Sequence, residues 1–308
     1  MTGTGVGLHL PATLRDVLVC PLCKGELDLT VGLIRCRTGH LRIPQTRADC
    51  VDLLPFEPAL ADPGGWSERQ ISMAQWYRDL LETPAAAACF EKDYGPYATL
   101  LGSLGGRVLD VGGGGNGVVR HYLRDRVEYV LLEPELAWLD AQWTDLVDRF
   151  PCLATPACFV RGIGECLPFA DVSFDAVLAF WSLNHAASPP AVIAEAARVL
   201  RPGGLLLLVL EDMPPRWRDL GANLLRSRPL RQARLVGHKL RATLLGRPWP
   251  LQPDHVRLSE DQLLAWTSRL FQITQRHWAN TYLMLALRRE PYRPNNVAAR
   301  MNPSFGER

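Results

Sequence analysis

The stretch RVLDVGGGGNGVVRHYL, residues 107–123, decides the fold class of this chain. RVLDV is a short apolar run typical of a buried strand, a glycine-rich turn follows it, and VVRHYL has a helical pattern. Glycine has no side chain, so such a turn lets backbone N–H groups and a helix N-terminus approach a bound ligand closely. The stretch predicts the first strand–turn–helix unit of an α/β fold with a ligand at this turn.

Further apolar runs follow at intervals, separated by helical or turn-like stretches. This alternation predicts a βαβ sheet. Ser259, with Gln262 three residues later, predicts a capping box at the start of a helix over 259–270. Two last runs, separated by Ala279 and Asn280, predict an antiparallel hairpin at the edge of the sheet. The predicted strands after the first are residues 127–133, 157–160, 174–180, 205–211, 271–278 and 281–287.

Two acidic residues flank the predicted ligand site. Glu133 ends the second strand, where a carboxylate can accept hydrogen bonds from both ribose hydroxyls of an adenosine-containing cofactor. Asp110 comes just before the glycines. A solvated strand end is the alternative interpretation of Glu133.

A longer series of motifs lies between residues 161 and 209. It contains LPF at 167–169, SFD at 173–175, His185 and E-x-x-R-V-L-x-P-G-G at 195–204. In this order and spacing the motifs resemble the methyltransferase family that includes the ubiquinone and menaquinone biosynthetic enzymes. The resemblance covers about 108–209 and implies a Rossmann-like, seven-stranded class I fold that binds S-adenosylmethionine and transfers its methyl group. It further implies cofactor contacts from Asp110, Gly112, Gly114, Glu133, Gly164, Glu165 and Phe180.

The chain departs from the family pattern at two places. Ile163 stands where the family has an acid that faces the adenine, so backbone near Gly164 and apolar packing would hold the base. The glycine run is one residue longer than usual. A cofactor-binding protein that has lost methyl transfer is therefore one of the open interpretations.

The catalytic candidate is His185, because it follows the fourth strand at the edge where ligands bind in open α/β sheets. A general base is needed only for a weakly acidic acceptor. A histidine that packs or caps the loop is the alternative interpretation. Glu211 and Asp212, at the end of the fifth strand, are second candidates, with loop capping as their alternative role.

Two further pairs are weaker candidates. Asp254 and His255 form either a base with its orienting carboxylate or a brace for the following helix. Tyr94 and Tyr97 precede the core, where family members place a lid over the cofactor, and simple packing is the alternative.

Cysteines near the N-terminus predict a structural zinc site. Cys20 and Cys23 form a C-P-L-C knuckle, and Cys36 is followed by His40. Two close pairs of such ligands match a tetrahedral zinc site, and metal binding would supply the folding energy of a small loop-rich module. A ribbon that has lost its metal is the alternative, and Cys50 is a possible substitute ligand.

The cysteine-containing segment resembles the zinc ribbon that precedes large-subunit rRNA guanine-N1 methyltransferases, which use a C-x-x-C and C-x-x-x-H ligand set. It is also similar to the small zinc-binding partner of tRNA methyltransferases, in which a fourth cysteine replaces Gly39. The resemblance implies Zn²⁺ bound by Cys20, Cys23, Cys36 and His40.

Basic residues concentrate in residues 213–250, which hold eight Arg and one Lys against one Asp, whereas the whole chain has a net charge of +2. Leucines are interleaved with them, so the segment predicts a cationic amphipathic helix beside the acceptor site. It can bind rRNA phosphates, lie on an anionic membrane or form a solvated lid over a small substrate. Because the overall charge is near zero, the sequence favours a small-molecule or natural-product acceptor, with rRNA as the alternative.

The sequence thus predicts four parts. They are a zinc-ribbon-like module at 1–56, a linker and helical lid at 57–104, the methyltransferase domain at 105–289 and a flexible tail at 290–308. The longest apolar run, residues 203–210, is too short to span a membrane. Residues 1–16 lack a basic start followed by an apolar block, so we expect a cytoplasmic protein.

Overall fold

The computed structural model of the protein describes residues 12–55, 66–136, 139, 144–213, 229–245, 255–279 and 282–291. Its strands are β1 (Leu27–Thr30), β2 (Leu33–Cys36), β3 (Arg42–Pro44), β4 (Cys50–Asp52), β5 (Arg107–Val111), β6 (Glu128–Glu133), β7 (Cys158–Arg161), β8 (Phe174–Phe180), β9 (Leu200–Leu210), β10 (Phe271–Ala279) and β11 (Tyr282–Arg289). Its α-helices are α1 (Ala12–Arg15), α2 (Trp66–Leu81), α3 (Ala86–Tyr94), α4 (Ala98–Leu101), α5 (Pro189–Val199), α6 (Pro229–Leu244) and α7 (Glu260–Thr267).

An eight-stranded sheet forms the centre, in the order β10-β11-β9-β8-β5-β6-β7-β4. The strands from β9 to β4 run parallel, and β11 is antiparallel to both of its neighbours. The chain passes from β5 through β6 to β7 on one side and from β8 to β9 on the other. The predicted α/β, Rossmann-like fold is confirmed, and its topological switch point lies between β5 and β8, where open sheets of this kind bind ligands.

One strand of the sheet was not predicted. β4 pairs in parallel with β7, with Cys50 opposite Phe159 and Asp52 opposite Arg161. An Asp52–Arg161 ion pair of 2.9 Å closes this edge. The seven strands that the resemblance implies are therefore extended by an eighth, which comes from the segment that also contains the cysteines.

The cysteine segment, residues 12–55, packs directly on the main sheet. β1, β2 and β3 form a small antiparallel sheet. The backbone before the knuckle pairs with the LPF loop, since the N–H of Val19 donates to the carbonyl of Pro168 at 3.0 Å and the N–H of Ala170 to the carbonyl of Val17 at 2.8 Å. Leu14 and Ile34 belong to the same buried core as strand residues of the main sheet. The two parts thus share one hydrophobic core.

Several local predictions are confirmed. Ser259 accepts a hydrogen bond from the N–H of Gln262, and the Gln262 side chain accepts one from the N–H of Ser259, so the capping box forms at the start of α7. The predicted terminal hairpin is the β10–β11 pair. The stretch after the glycine turn differs from a regular α-helix, because Gly115–Tyr122 forms 3-10 turns. The left-handed φ of +70° at Gly117 interrupts a regular helical path there.

The basic segment is described only in part. Within it α6 forms a helix of 16 residues without an acidic residue in its first turn, and Leu240, Leu244 and Leu245 near its end are exposed. The remainder of the segment, including Arg216, lies largely outside the described residues. Among the described helices, none combines the length and the apolar character needed to cross a bilayer.

Candidate active site

A cleft lies at the carboxyl ends of the central strands, at the switch point. It contains about 780 Å³ of space, part of which is open solvent. Glycine-turn, strand-end and loop residues line it together with Met73 from α2. The residues that the sequence predicted for cofactor contact and that line the cleft are Gly112, Gly114, Glu133, Gly164, Glu165 and Phe180.

The glycine turn bends sharply against the end of β8. Gly112 has a φ of +65° and Gly114 a φ of +42°. A Cβ atom on Gly112 would come within 2.6 Å of the Ser182 Cβ atom. Glycine is therefore required here both for the left-handed backbone and for the close approach. The turn exposes its backbone to the cleft at the end of β5.

Glu133 is the buried carboxylate at the end of β6. Its two oxygens accept hydrogen bonds from the N–H of Gly114 at 3.2 Å and of Glu135 at 3.1 Å. Burial raises the pKa of Glu133 to about 7, although these backbone hydrogen bonds oppose the shift. The side chain lines the cleft and keeps lone pairs that can accept ligand hydroxyl groups. The solvated strand end considered as its alternative does not describe a residue that is 5% exposed.

Asp110 occupies a different place from Glu133. It is buried beneath the glycine turn, and its carboxylate accepts a hydrogen bond of 2.7 Å from the hydroxyl of Tyr129. Burial raises the pKa of Asp110 to about 7, against this hydrogen bond. Asp110 is absent from the residues that line the cleft in the described structure. In the structure Asp110 therefore packs under the glycine turn and binds Tyr129. A contact between Asp110 and a ligand stays a prediction.

Residues after β7 form the wall opposite the glycine turn. Gly164 packs so closely that a Cβ atom would lie 2.9 Å from a Val111 methyl carbon. Glu165 accepts hydrogen bonds from the N–H groups of Ala187 at 2.7 Å and Ser188 at 3.2 Å, and so it fixes the loop after β8. Ile163, in the place of the family's acid, is buried and lines the cleft.

An aromatic cluster closes one end of the cleft. The ring of Tyr97 meets Phe180 edge to face, with centroids 5.3 Å apart, and Tyr94 stacks on Phe180 at 6.2 Å. Trp181 contacts Tyr94 at 5.3 Å. Both tyrosines thus pack against residues that line the cleft, and Tyr94 is buried whereas Tyr97 is half-buried. Their predicted role as a lid remains a prediction.

His185 lies in the cleft wall beside a second histidine. The rings of His185 and His255 meet edge to face with centroids 4.6 Å apart. Nδ1 of His255 is 2.9 Å from an Asp212 oxygen, and Nε2 is 3.3 Å from a Glu211 oxygen. The sequence suggested Asp254 as the partner of His255, but Asp254 lies outside the described residues. The structure instead brings together His185 and the two acids at the end of β9, which the sequence treated as separate candidates.

Asn184 is a residue that the sequence analysis missed. It is 1% exposed, its side-chain amide nitrogen donates to the carbonyl of Glu211 at 3.1 Å, and its backbone carbonyl accepts from the N–H of Val256 at 2.7 Å. It therefore holds the chain before His255 against the end of β9. The sequence shows an Asn directly before His185, but its burial and its bond to Glu211 depend on the fold, and buried amides are normally hydrogen-bonded.

The cysteines predicted to bind zinc converge at the knuckle. The ligand atoms of Cys20, Cys23 and Cys36 all lie within 4.8 Å of one another, and the Sγ atoms of Cys23 and Cys36 are 3.5 Å apart. Nδ1 of His40 lies 4.0 Å from the Cys36 Sγ atom. Thiolates about 2.3 Å from one zinc ion would be separated by slightly less than 4 Å in a tetrahedral site. The three thiols therefore fit three corners of a tetrahedral metal site, whereas Nδ1 of His40 lies 2.8 Å from the Thr38 hydroxyl and outside the group that the three cysteines form.

Hydrogen bonds in the cluster lower the pKa of Cys23 and of Cys36. Burial raises the pKa of Cys36, but hydrogen bonds from Thr38 and from the His40 backbone outweigh it and lower the pKa to about 6. Burial raises the pKa of Cys20 to about 11. Cys50, the possible substitute ligand, is a buried residue of β4 and lies outside this cluster.

Part of the chain matches a known family. Residues 109–208 match the family described as "Methyltransferase domain". The matched residues run from β5 to β9 and include the glycine turn, Glu133, the LPF and SFD motifs and His185.

Curated relatives match over part of the chain. An uncharacterized methyltransferase of Mycobacterium sp. strain JLS is 34% identical over 139 residues, 45% of this chain and 51% of the relative. An uncharacterized methyltransferase of Mycolicibacterium gilvum is 37% identical over 101 residues, 33% of this chain and 37% of the relative. The chain thus spans about half or less of the length of these relatives.

Solved structures give more distant matches. The PH0226 protein of Pyrococcus horikoshii has a TM-score of 0.46 at 15% identity, covering 68% of this chain and 94% of that one. The [4+2]-cyclase SpnF has a TM-score of 0.46 at 18% identity, covering 63% and 80%.

Proposed function

We propose that this chain is a class I methyltransferase that uses S-adenosylmethionine to methylate a small-molecule acceptor. The observation that carries the proposal is Glu133, a buried carboxylate at the end of β6 that lines the cleft beside the glycine turn. A carboxylate in this position accepts both ribose hydroxyls of an adenosine. The match of residues 109–208 to a methyltransferase domain supports the same donor.

The residues of the cleft fit the parts of this donor. Glu133 would hold the ribose, the glycine turn would contact the methionine portion through its backbone, and Ile163 with the backbone of Gly164 would pack against the adenine. Phe180 and the loop after β8 would bound the reacting end. The donor supplies a methyl group on a good leaving group, so the protein has mainly to align the acceptor and exclude water.

The wall opposite the ribose position supports a small acceptor. His185, Phe180, Trp181 and Met73 of α2 line the cleft. Aromatic walls with one polar group are typical of sites that enclose small ligands. Within this proposal His185 faces the acceptor, where it can accept a proton from a weakly acidic group.

Binding of the donor is tested with Glu133→Gln and a matched control, Glu128→Gln, at the other end of β6. Calorimetry with S-adenosylmethionine and S-adenosylhomocysteine should show both ligands binding the unaltered protein and the Glu128 variant alike. Loss of charged hydrogen bonds should weaken binding to Glu133→Gln by about 30-fold or more. No heat with either ligand in the folded, metal-replete protein would remove the proposal.

The acceptor is tested by mass spectrometry after incubation with isotope-labelled donor, in parallel with a metabolite extract and with ribosomal RNA. A labelled small molecule is the expected result. Labelled RNA would replace that acceptor class. Donor binding without a labelled product in either arm would identify a cofactor-binding protein that has lost methyl transfer, the interpretation that Ile163 raised.

An RNA acceptor is the second candidate, favoured by α6. This helix contains Arg231, Arg234, Lys239 and Arg241 and no acidic residue. Phosphate binding through such a helix would show a steep salt dependence that becomes shallower in an Arg231→Gln and Arg234→Gln double variant. Binding that is weak and independent of salt would exclude this candidate.

The cysteine cluster is proposed as a structural zinc site formed by Cys20, Cys23, Cys36 and His40. Its chemistry supports zinc, because soft thiolates with one imidazole are the usual ligands of structural zinc. None of these four residues lines the cleft, so the proposed role is stabilisation. Elemental analysis of the purified protein, with Cys36→Ser as the variant that should lose the ion, tests it.

A further inference from the structure

A second group of side chains that could hold a metal ion adjoins the cleft through His185. One ligand atom from each of His185, Glu211 and His255 lies within 4.8 Å of the others. His185 and the His255 ring are buried, and the Glu211 side chain is 19% exposed. The group is distinct from the cysteine cluster in chemistry, since it offers imidazole and carboxylate ligands only.

Asp212 orients one of the histidines toward the centre of the group. Its carboxylate lies 2.9 Å from Nδ1 of His255. A hydrogen bond from Nδ1 to this carboxylate leaves the lone pair on Nε2, and Nε2 is the atom that faces Glu211 at 3.3 Å. Metal-binding histidines usually donate their other ring N–H to a carboxylate in this way.

The backbone holds the ligands from three directions. His185 follows β8, Glu211 follows β9, and His255 begins the segment before α7. Asn184 joins all three, because it bonds to the backbone of Glu211 and of Val256. Asp212 adopts a left-handed φ of +54°, which a non-glycine residue rarely adopts. Such strain at a polar cluster is common at functional sites.

The charge of the group complements a divalent cation. Glu211 and Asp212 bring two carboxylates to the two imidazoles. Two imidazoles and one carboxylate form the facial ligand set that binds first-row divalent metals and leaves positions open for other ligands.

The geometry points to a second metal site, in which His185, Glu211 and His255 bind a divalent first-row transition metal ion and Asp212 orients His255. Because His185 also lines the cleft, a metal ion held by it would adjoin a bound acceptor. The acceptor class that follows is a small molecule with an oxygen group able to ligate the metal. The metal site itself rests on the cluster alone, whereas the role in binding the acceptor rests on the proposed function.

The test counts metal ions in the full-length protein after loading with Zn²⁺ and desalting. Glu211→Gln and His255→Asn are the variants, and His277→Gln, an exposed histidine of β10, is the control. We expect the unaltered protein and the His277 variant to retain about one more zinc ion per chain than the Glu211 and His255 variants. Removal of a proposed ligand should weaken metal binding by about 100-fold or more, because loss of a group that only supports a ligand already weakens it about ten- to 100-fold. Equal metal content in all four proteins would overturn the proposal.

Cobalt(II) separates the two sites spectroscopically. After loading with Co²⁺, thiolate-to-cobalt absorption reports the cysteine cluster, and the visible ligand-field bands report both sites. The Glu211 and His255 variants should keep the thiolate absorption and lose part of the visible bands. A visible spectrum unchanged from that of the unaltered protein would contradict a site at His185, Glu211 and His255.

Calorimetry with S-adenosylhomocysteine on the same variants separates this proposal from the proposed function. Retained donor binding in Glu211→Gln shows that the variant is folded with an intact cleft, so its loss of the ion is specific. If the unaltered protein bound the ion but no donor, the metal site would stand and the methyltransferase proposal would fail.

Discussion

Glu133 combines burial with a role that requires charge. A ribose hydroxyl donates to a carboxylate, so the proposed donor binds the ionised form of Glu133. In the ligand-free protein burial raises the pKa of Glu133 to about 7. Donor binding should therefore be coupled to ionisation of this one side chain.

The expected consequence is a pH-dependent affinity. As pH falls through 7, more of the ligand-free protein carries a neutral Glu133, and ionising it opposes binding. The affinity for S-adenosylhomocysteine should be about tenfold weaker at pH 6 than at pH 8, since a pKa near 7 leaves about a tenth of the carboxylate ionised at pH 6. Calorimetry across this range measures it, and an affinity independent of pH would contradict the assignment.

At Gly112 the neighbouring residues leave no room for a side chain. A Cβ atom there would come within 2.6 Å of the Ser182 Cβ atom, and the φ is +65°. We expect Gly112→Ala to lower the free energy of unfolding by about 1–3 kcal/mol and to weaken donor binding. Urea unfolding measures the first effect and calorimetry the second.

The cause can be separated with a second substitution. Ser182→Gly in the Gly112→Ala background removes the clash but leaves the strained φ, so it should recover only part of the stability. Gly105→Ala is the control, because a Cβ atom there meets nothing within 4 Å. Full recovery of stability in the double variant would show that the clash with Ser182, and not the strained φ, is the reason why glycine is required.

At this scale the sequence located the strand-end residues but not their partners. Glu133 and His185 were predicted at the cleft because position after a strand is a local property. The contact of Asp110 with Tyr129, 19 positions away, and the pairing of His255 with Asp212, 43 positions away, depend on strand register and loop path. Neither leaves a periodic signal in one sequence.

Among the elements, the knuckle that carries Cys20 and Cys23 is fastened to helix α5. Nζ of Lys24 lies 2.7 Å from a Glu195 oxygen and also donates to the carbonyls of Pro21 at 2.8 Å and Leu167 at 3.2 Å. Glu195 is part of the E-x-x-R motif and is shared with Arg198, its partner at 2.7 Å. The family motif thus also serves as the docking point of the cysteine segment.

Removal of this link should loosen the knuckle. Lys24→Met keeps the aliphatic stem and removes the charge, and we expect it to lower the free energy of unfolding by about 1–3 kcal/mol, because both partners are largely buried. Release of zinc to a chromogenic chelator should become faster. Arg149→Met is the control: Arg149 pairs with Glu91 on the surface, where an ion pair contributes about 0–1 kcal/mol. Equal effects of the two substitutions would refute the docking role.

Elements with local signals were predicted well, and those without were missed. The capping residue Ser259 and the hairpin turn fix their elements within a few residues. β4 was missed because three residues pair with a strand more than 100 positions later, and such a short strand has no pattern of its own. The turn after Gly115 differs from a regular helix because glycines within it lower helix propensity and favour a positive φ.

For the molecule as a whole, the cysteine segment and the sheet should unfold together. They share one buried core, the β4–β7 ladder and the Lys24 link. A segment that buries its apolar residues against a sheet loses its own stability when the sheet opens, and the sheet edge at β7 is exposed when the segment leaves.

Calorimetric melting should show the cysteine segment and the sheet unfolding in one transition. Cys36→Ser, which removes a proposed zinc ligand, should lower the melting temperature of the entire described structure in a single transition, since each 1 kcal/mol corresponds to about 2–4 °C at this size. S-adenosylhomocysteine, whose proposed site is lined by none of the knuckle residues, should raise the same transition because it binds only the folded protein. Cys152→Ser, a half-buried thiol outside the cluster, is the control for the chemical change. The alternative outcome is two separate transitions, one that responds only to the cysteine substitution and one that responds only to the ligand. That outcome would mean that the cysteine segment is an independent domain that packs on the sheet.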